Sequence, residues 1–277
     1  MRHAMVLGFM LVSLGASAAE RWTAPYQLED QRGRTFRVVF GGNKAPKNVE
    51  SRLGIVTLVG KKGLATARLQ RVEKVCTPVC DAPECHSVGV YTQEPGTKDV
   101  GEGLVALPGR IRGQMDTPAP VTPAKPPSVE QWSSREFQVP VDERTGGILL
   151  PEGVPPAAFR WTSHAQGGAQ LQRQQGGVDF FTPPIQLAEC QQEQQPPFTR
   201  LTCPAASLLY EKQQLLFASF DEYGVATTEW VATLQAGGQT LYLVRVGLKT
   251  QAVIGLLFHE GGRWRLLVRQ ADYSLIC

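Results

Sequence analysis

Short apolar runs separated by glycine pairs dominate the C-terminal part of the chain. The runs are "TTEWVATL", "TLYLVRVGL", "AVIGLLFH" and "RWRLLVRQ", and "QAGGQ" and "HEGGR" join two pairs of them. Gly-Gly turns accept positive φ, and runs of this length with β-branched and aromatic residues are typical of strands. In "RWRLLVR", the apolar residues Trp264, Leu266 and Val268 alternate with arginines, apart from Leu267. This pattern predicts an antiparallel meander with one apolar face and one arginine face.

The N-terminal region has the same character. "TFRVVF", "GIVTLV" and "SVGVYT" are predicted strands, and residues 64–76 fit either a helix or a strand. We favour a strand that enters the cysteine-rich loop and returns through "SVGVY" as a hairpin. Because no convincing amphipathic helix of more than about three turns is visible, the predicted fold class is mainly β. We expect antiparallel sheets, sandwich or barrel-like, with the C-terminal antiparallel meander.

Proline and small residues suggest the organisation of the chain. Residues 1–18 have a positive start, an apolar run and the small residues Ala16-Ser17-Ala18, the pattern of a signal peptide. "DTPAPVTPAKPP" at 116–127 cannot continue as a helix or a central strand, because proline lacks the backbone donor. We therefore expect a linker or strap there, between β-rich regions at 19–115 and 128–277. Residues 163–177, rich in Gln and Gly, predict a loop or irregular hairpin.

Composition and charge narrow the class of protein. The chain has 277 residues, 42% of them hydrophobic, and a formal net charge of +3 without a run of Lys or Arg. Nucleic acid is therefore not an expected partner. No apolar stretch after the first 18 residues approaches the length of a membrane span. We expect a periplasmic or secreted protein whose partner is an unknown protein or envelope component.

Six cysteines carry the main chemical question. The segment "KVCTPVCDAPECHSVGVY" contains Cys76, Cys80 and Cys85, and His86 directly follows Cys85. The other three are Cys190, Cys203 and Cys277. In an oxidising compartment, an even number of cysteines predicts disulfides. Zinc binding by Cys76, Cys80, Cys85 and His86 is an alternative. Covalent haem at "CDAPECH" is another, although its spacing is two residues too long.

We predict that all six cysteines are oxidised. Cys190 and Cys203 should close a hairpin loop, with a stabilisation of about 3 kcal/mol. One bond should form inside the cluster, either Cys76 to Cys85 or Cys80 to Cys85, because neighbours in sequence meet at high effective concentration. The remaining cluster cysteine should join Cys277.

Candidate catalytic and ligand residues are few. The histidines after the signal segment are His86, His164 and His259, and the familiar nucleophile, metalloprotease and nucleotide motifs are missing from the sequence. Asp221 and Glu222 offer a weak Ca²⁺ site, and Trp132, Trp161, Trp230 and Trp264 either line a groove or fill the core. An arginine stripe, Arg263, Arg265 and Arg269 with Arg245 and Lys249, either binds anions or faces solvent.

These observations favour a non-catalytic binding or structural module of the cell envelope, stabilised by disulfides and without a cofactor. The alternative is an exported, hydrolase-like enzyme whose site is assembled from distant residues. A deep pocket that joins two or more of His86, His164, His259, Asp221 and Glu222 would favour the enzyme.

Overall fold

The fold is mainly β, as predicted, and its sheets are antiparallel. The structure is a computed structural model that describes residues 22–40, 45–79, 82–116, 120–125, 136–139, 157–163, 169–173, 189–204, 206–212, 214–220, 228–248 and 251–269. The segment 1–18, predicted to be a signal peptide, lies outside these residues. The helix that they contain, α1, is a single short turn at Val49–Leu53.

Six strands of the N-terminal region close into a barrel in the order β1-β2-β5-β4-β3-β6. Closure removes free edges within the paired parts of the strands. Residues of alternate positions, such as Phe36, Val38 and Leu58, fill the interior. The strands are β1 (Tyr26–Arg32), β2 (Thr35–Val39), β3 (Ile55–Gly60), β4 (Gly63–Val79), β5 (Ala82–Gln93) and β6 (Gly103–Pro108). The ambiguous residues 64–76 are therefore strand, as we favoured.

A second sheet contains the predicted C-terminal meander. Its order is β19-β18-β17-β16-β7, so four consecutive strands are joined at one edge by a strand that follows the barrel. Register places Trp230 opposite Val244 and Leu257 opposite Leu266. The strands are β7 (Gly113–Asp116), β16 (Thr228–Ala236), β17 (Gln239–Leu248), β18 (Gln251–Glu260) and β19 (Arg263–Leu267).

Both faces of this meander sheet are buried, which differs from the predicted solvent-facing arginine side. Leu267 packs with Leu256 and Phe258 against the outside of the barrel, whereas Leu266 and Leu257 pack against a third sheet. A sheet that is covered on both faces carries nearly continuous apolar runs. "AVIGLLF" in β18 is such a run, and it was the signal for burial on two faces.

The third sheet runs in the order β15-β14-β13-β12-β8. Its edge strand β8 (Thr122–Ala124) comes from the proline-rich segment 116–127, and Pro123 lies there because an edge strand can do without one backbone donor. The other strands are β12 (Gln191–Gln195), β13 (Phe198–Cys203), β14 (Ala206–Glu211) and β15 (Gln214–Phe220). The four predicted meander runs, from "TTEWVATL" onward, are β16–β19 and follow these strands in the chain.

A small three-stranded sheet completes the described elements. It has the order β11-β10-β9, with β9 (Glu136–Val139), β10 (Ala157–Ser163) and β11 (Ala169–Arg173). Strands β10 and β11 pair as an antiparallel hairpin, and β11 lies within the Gln- and Gly-rich interval 163–177.

The barrel and the meander sheet share one hydrophobic core. Val105 and Leu107 from the barrel pack in the same cluster as Leu243 and Leu256 of the sheet. The side chain of Gln27 donates to the carbonyl oxygen of Ile254 and accepts from its backbone N–H, each at 2.9 Å. The N- and C-terminal regions are thus joined by apolar packing and by paired hydrogen bonds.

Candidate functional site

The cysteine-rich motif forms the end of a long hairpin. Strands β4 and β5 pair as far as Val79 and Ala82, with one bulge between Leu69 and Arg71. The pairing with neighbouring strands ends earlier. Strand β3 pairs with β4 only up to Arg68, and β2 pairs with β5 only from Val88 onward. We call residues 70–79 and 82–86 the hairpin arm. It continues the two longest barrel strands beyond their paired neighbours.

A cross-strand disulfide closes the hairpin arm. Cys76 lies directly opposite Cys85 in the register, with their Cα atoms 4.0 Å apart, and their sulfur atoms are bonded. Cys76 is exposed and Cys85 is half-buried. This is one of the two bonds that we favoured inside the cluster. In the chain-entropy description, closing so short a loop stabilises the fold by about 3 kcal/mol.

A chain of ion pairs fixes the base of the hairpin arm to the barrel. The guanidinium groups of Arg71 and Arg37 donate to opposite oxygens of Glu73, at 2.6 and 2.8 Å. These hydrogen bonds, the one from Arg71 first, lower the pKa of Glu73. Arg37 also lies 3.8 Å from Glu29, whose other oxygen is 3.1 Å from Nε2 of His86.

The charged groups of this network contact one another. Each carboxylate in it contacts an arginine, and His86 is buried against Glu29 with only 7% of its surface exposed. A histidine and carboxylate enclosed in this way orient the strands on which they lie. The arrangement therefore supports a structural role for His86, the residue that follows the last cysteine of the cluster.

The disulfide removes the sulfur that the metal and haem hypotheses require. Both zinc binding and thioether attachment use Cys85, and its sulfur is bonded to Cys76. His86, the proposed ligand beside it, is directed to Glu29. Among the described residues, no group of three or more His, Cys, Asp and Glu side chains is placed to hold a metal ion.

The second predicted disulfide is also present. Cys190 and Cys203 are bonded across 13 positions and flank the hairpin of β12 and β13. Both residues are buried, with 6% and 8% of their surface exposed. Cys80 and Cys277, the remaining predicted pair, lie outside the described residues.

The register separates the arginine stripe instead of gathering it. Arg245 lies opposite Ile254 and Arg265 lies opposite Phe258, which is four residues further along β18. At about 3.4 Å per residue, this places the two arginines more than 13 Å apart along the strand direction. Each donates to a nearby carboxylate at 2.6 Å, Arg245 to Glu229 and Arg265 to Glu260.

Arg269 lies apart from these two and packs on the barrel. Its guanidinium carbon is 3.9 Å from the ring centroid of Tyr26, a cation–π contact. The side chains of Arg263 and Lys249 are outside the described part of the structure. The described arginines of the stripe therefore form no common anion-binding face.

The residues proposed for a catalytic site are not brought together where they are described. His86 lies in the hairpin arm, and His259 lies in β18, paired with Trp264 across the sheet. His164, Asp221 and Glu222 lie outside the described residues. A shallow cleft of about 440 Å³ has a lining that includes Trp22, Leu107, Arg110 and Arg112 and neither described histidine.

Two of the four candidate tryptophans do meet. Trp230 and Trp264 both pack edge-on against Phe198, with ring centroids 5.5 and 5.6 Å from it. Tyr242 completes the group at 4.8 Å from Phe198. Trp132 and the side chain of Trp161 lie outside the described residues. Phe198 and Tyr242, which no sequence motif marks as site residues, therefore bring the two tryptophans into one cluster.

Comparisons with family models, with curated proteins and with solved structures find no match for this chain. Among the helices in the described ranges, none has the length and apolar character needed to cross a membrane.

Proposed function

We propose that the chain is an exported, non-catalytic binding module of the cell envelope, periplasmic or secreted, that contacts a protein partner through the hairpin arm. The observation that carries this proposal is the arm itself, a disulfide-closed extension of two strands beyond a packed barrel. Such an extension adds little to the barrel core, whereas it presents backbone and side chains to another molecule.

The outer strand of the arm has the properties of a contact surface. From residue 70 to Cys76 no side chain is buried, and Val72, which is 39% exposed, presents an apolar side chain to solvent. Beyond Arg68, none of the described strands pairs with the outer edge of β4. A free edge of this kind accepts an extended segment of a partner as an added strand.

Charge and irregularity on the arm favour a different protein over a second copy. Arg71, Glu73 and Lys74 lie along the strand, and a bulge interrupts the register between Leu69 and Arg71. Charged side chains and bulges on an edge strand oppose pairing between identical edges. We therefore propose a different protein as the partner, with an extended segment that pairs with this edge.

The proposed location rests on the disulfides and on the first residues. Disulfides persist in oxidising compartments such as the periplasm or the extracellular space, and the chain has a bond in the hairpin arm and another in the third sheet. The pattern of residues 1–18 supplies an export signal, which is cleaved after Ala18 or Ala19 in this proposal.

Site-specific cross-linking in the cells that make the protein tests the proposal. A photoreactive amino acid is placed at Val72 or Lys74, and at Lys61 as the control. Lys61 lies in the tight turn between β3 and β4, and its side chain is 58% exposed. We expect a discrete cross-linked product from position 72 or 74 that is absent at 61 and is lost when Cys76 and Cys85 are both replaced by serine.

Equal products at all three positions, or no product at 72 and 74, would contradict the proposal. The double serine variant also separates contact through an ordered arm from contact through exposed sequence alone. In the second case, the product would persist without the disulfide.

A further inference from the structure

The second candidate site lies where the meander sheet faces the third sheet. Opposite residues of neighbouring strands share a face, so the register defines a row that crosses the sheet. In that row Thr233 lies between Asp116 and Tyr242, and the next row on the same face contains Gln235, Thr240 and Trp264. We call the polar end of this face, together with Glu211 of the facing third sheet, the sheet mouth; it comprises Asp116, Glu211, Thr233, Gln235, Thr240, Tyr242 and Trp264.

Aromatic rings form the inner side of the sheet mouth. Tyr242 and Trp264 are half-buried, and their ring centroids are 5.8 Å apart. Both pack against Phe198, which is only 2% exposed. The buried phenylalanine thus supports two larger rings that retain contact with solvent.

Two carboxylates border these rings. Glu211 accepts a hydrogen bond from the indole nitrogen of Trp264 at 3.0 Å, and Asp116 accepts one from the amide nitrogen of Gln235 at 2.7 Å. Gln235 is held in turn by the hydroxyl of Thr240 at 2.9 Å. Neutral donors therefore orient both carboxylates, and these hydrogen bonds do not neutralise their negative charges.

The two carboxylates differ from other carboxylates of the meander sheet in their partners among the described residues. Glu229 and Glu260 on the same sheet each pair with an arginine. Within the described residues, neither Asp116 nor Glu211 has an ion-pair partner. Both charges lie near Tyr242, whose pKa is raised by burial first and then by Glu211 and Asp116.

A buried hydroxyl provides a second, independent sign of a binding site. Thr233 is 4% exposed, and among the described residues its Oγ1 has no hydrogen-bond partner. Unsatisfied buried polar groups are rare in folded proteins and call for a specific explanation. The register places this hydroxyl between Asp116 and Tyr242, on the face that carries the aromatic rings.

We propose that the sheet mouth binds an organic cation, an ammonium or guanidinium group. The rings of Tyr242 and Trp264 lie on one side of this cation, and the carboxylates of Asp116 and Glu211 lie on the other. Aromatic faces attract such cations, and the attraction adds to that of nearby carboxylates. The Thr233 hydroxyl is an acceptor for a donor of the ligand. A hard metal ion fits less well, because it requires about six oxygen ligands and gains little from aromatic rings.

Tryptophan fluorescence and calorimetric titration of the full chain test this site. The probes are ethylguanidinium chloride and tetramethylammonium chloride, with sodium chloride at the same ionic strength as the control. A short lysine peptide and its glutamine counterpart distinguish a side chain of a protein from a free small molecule as the source of the cation. We expect saturable binding of an organic cation, without a response to sodium.

Variants locate the binding. Glu211→Gln combined with Asp116→Asn keeps size and hydrogen-bonding capacity but removes both charges, and should weaken binding at least tenfold. The matched control, Glu102→Gln, removes a carboxylate that pairs with Lys61 on the barrel and should change the affinity by less than twofold. Glu211→Gln alone serves if the double variant does not fold, and should weaken binding several-fold.

The absence of saturable binding by either probe, or equal affinity in the charge-removing variants and wild type, would overturn the proposal. Binding that is lost equally in Glu102→Gln would also overturn it, since that result would indicate a general effect of net charge. The sheet mouth and the hairpin arm lie in different parts of the fold, so either proposal can fail without the other.

Discussion

At the residue scale, the barrel interior leaves no room for a side chain at Gly89. A Cβ built there would lie 2.4 Å from Cζ of Phe40 and 2.6 Å from Cε2 of Tyr91. Both rings are buried, and the edge-on packing between them limits how far either can move. The glycine in "SVGVY" is thus required by close packing inside the barrel.

We expect Gly89→Ala to lower the free energy of unfolding by about 1–3 kcal/mol, the cost of overpacking a core. Chemical denaturation measures it. Phe40→Leu removes the nearest ring atom, so the double variant should lose less stability than the sum of the single variants. Gly60→Ala is the control for overpacking that a second substitution cannot relieve. Its Cβ would lie 2.4 Å from the backbone oxygen of Val100, and no change of side chain removes that atom. Strict additivity of Gly89→Ala and Phe40→Leu would contradict this account.

Tyr91 links the barrel strand β5 to the end of the short helix. Its hydroxyl is buried and donates to the carbonyl oxygen of Leu53 at 2.6 Å. Tyr91→Phe leaves that oxygen without its donor, and we expect a loss of about 1–2 kcal/mol in the free energy of unfolding at neutral pH. Denaturation of both proteins measures this difference.

The same residue predicts the alkaline stability of the protein. Burial, and to a smaller degree Tyr26, raises the pKa of Tyr91 well above its ordinary value. In the unfolded chain the Tyr91 hydroxyl ionises near pH 10, whereas in the folded chain it stays neutral at that pH. The stability that this group contributes below pH 10 is therefore lost as the pH rises. The loss should be smaller in Tyr91→Phe. An equal slope in both proteins above pH 10 would show that Tyr91 ionises normally in the fold.

At the element scale, the two disulfides between described residues differ in accessibility. Cys76 is exposed at the hairpin arm, whereas Cys190 and Cys203 are buried beside β12 and β13. Thiol–disulfide exchange requires an attacking thiolate to reach a sulfur atom. Brief treatment of the native protein with a dithiol, followed by alkylation and mass spectrometry, should therefore label Cys76 and Cys85 before Cys190 and Cys203. Labelling of all four at one rate would contradict the difference in exposure.

The sequence predicted some of the strands, but it did not predict their arrangement. Period-two patterns and glycine turns are local signals, and they correctly predicted β17, β18 and the β4–β5 hairpin. The barrel depends on pairs such as β1 with β6, which are far apart in sequence and have no local signal. The alternation in "RWRLLVR" predicted one exposed face, but the barrel covers that face, and packing against it decided the burial of Leu267.

The candidate sites also differ in how far the sequence predicts them. Close spacing made Cys76 and Cys85 predictable partners, as a hairpin brings them opposite each other. The sheet mouth depends on Glu211 and Asp116, which belong to different sheets and are unremarkable in the sequence. Only the register and the contact between the sheets place both carboxylates near Tyr242.

At the scale of the whole molecule, the shared core couples the barrel to the meander sheet. Leu107 is 1% exposed and packs in the cluster that contains Leu243 and Leu256. We expect Leu107→Ala to cost about 2–5 kcal/mol and to accelerate hydrogen exchange in β18 as well as in β6. Hydrogen exchange with mass spectrometry reads both elements. Acceleration confined to the barrel would show that the two parts unfold independently.

The central claim is that this chain is an exported β module closed by disulfides, and a non-reducing peptide map of the protein recovered from the cells that make it tests that claim most directly. We predict an N-terminus at Ala19 or Glu20, a peptide pair linked through Cys76 and Cys85, and a second pair linked through Cys190 and Cys203. An intact Met1 with these cysteines present as free thiols would contradict the account.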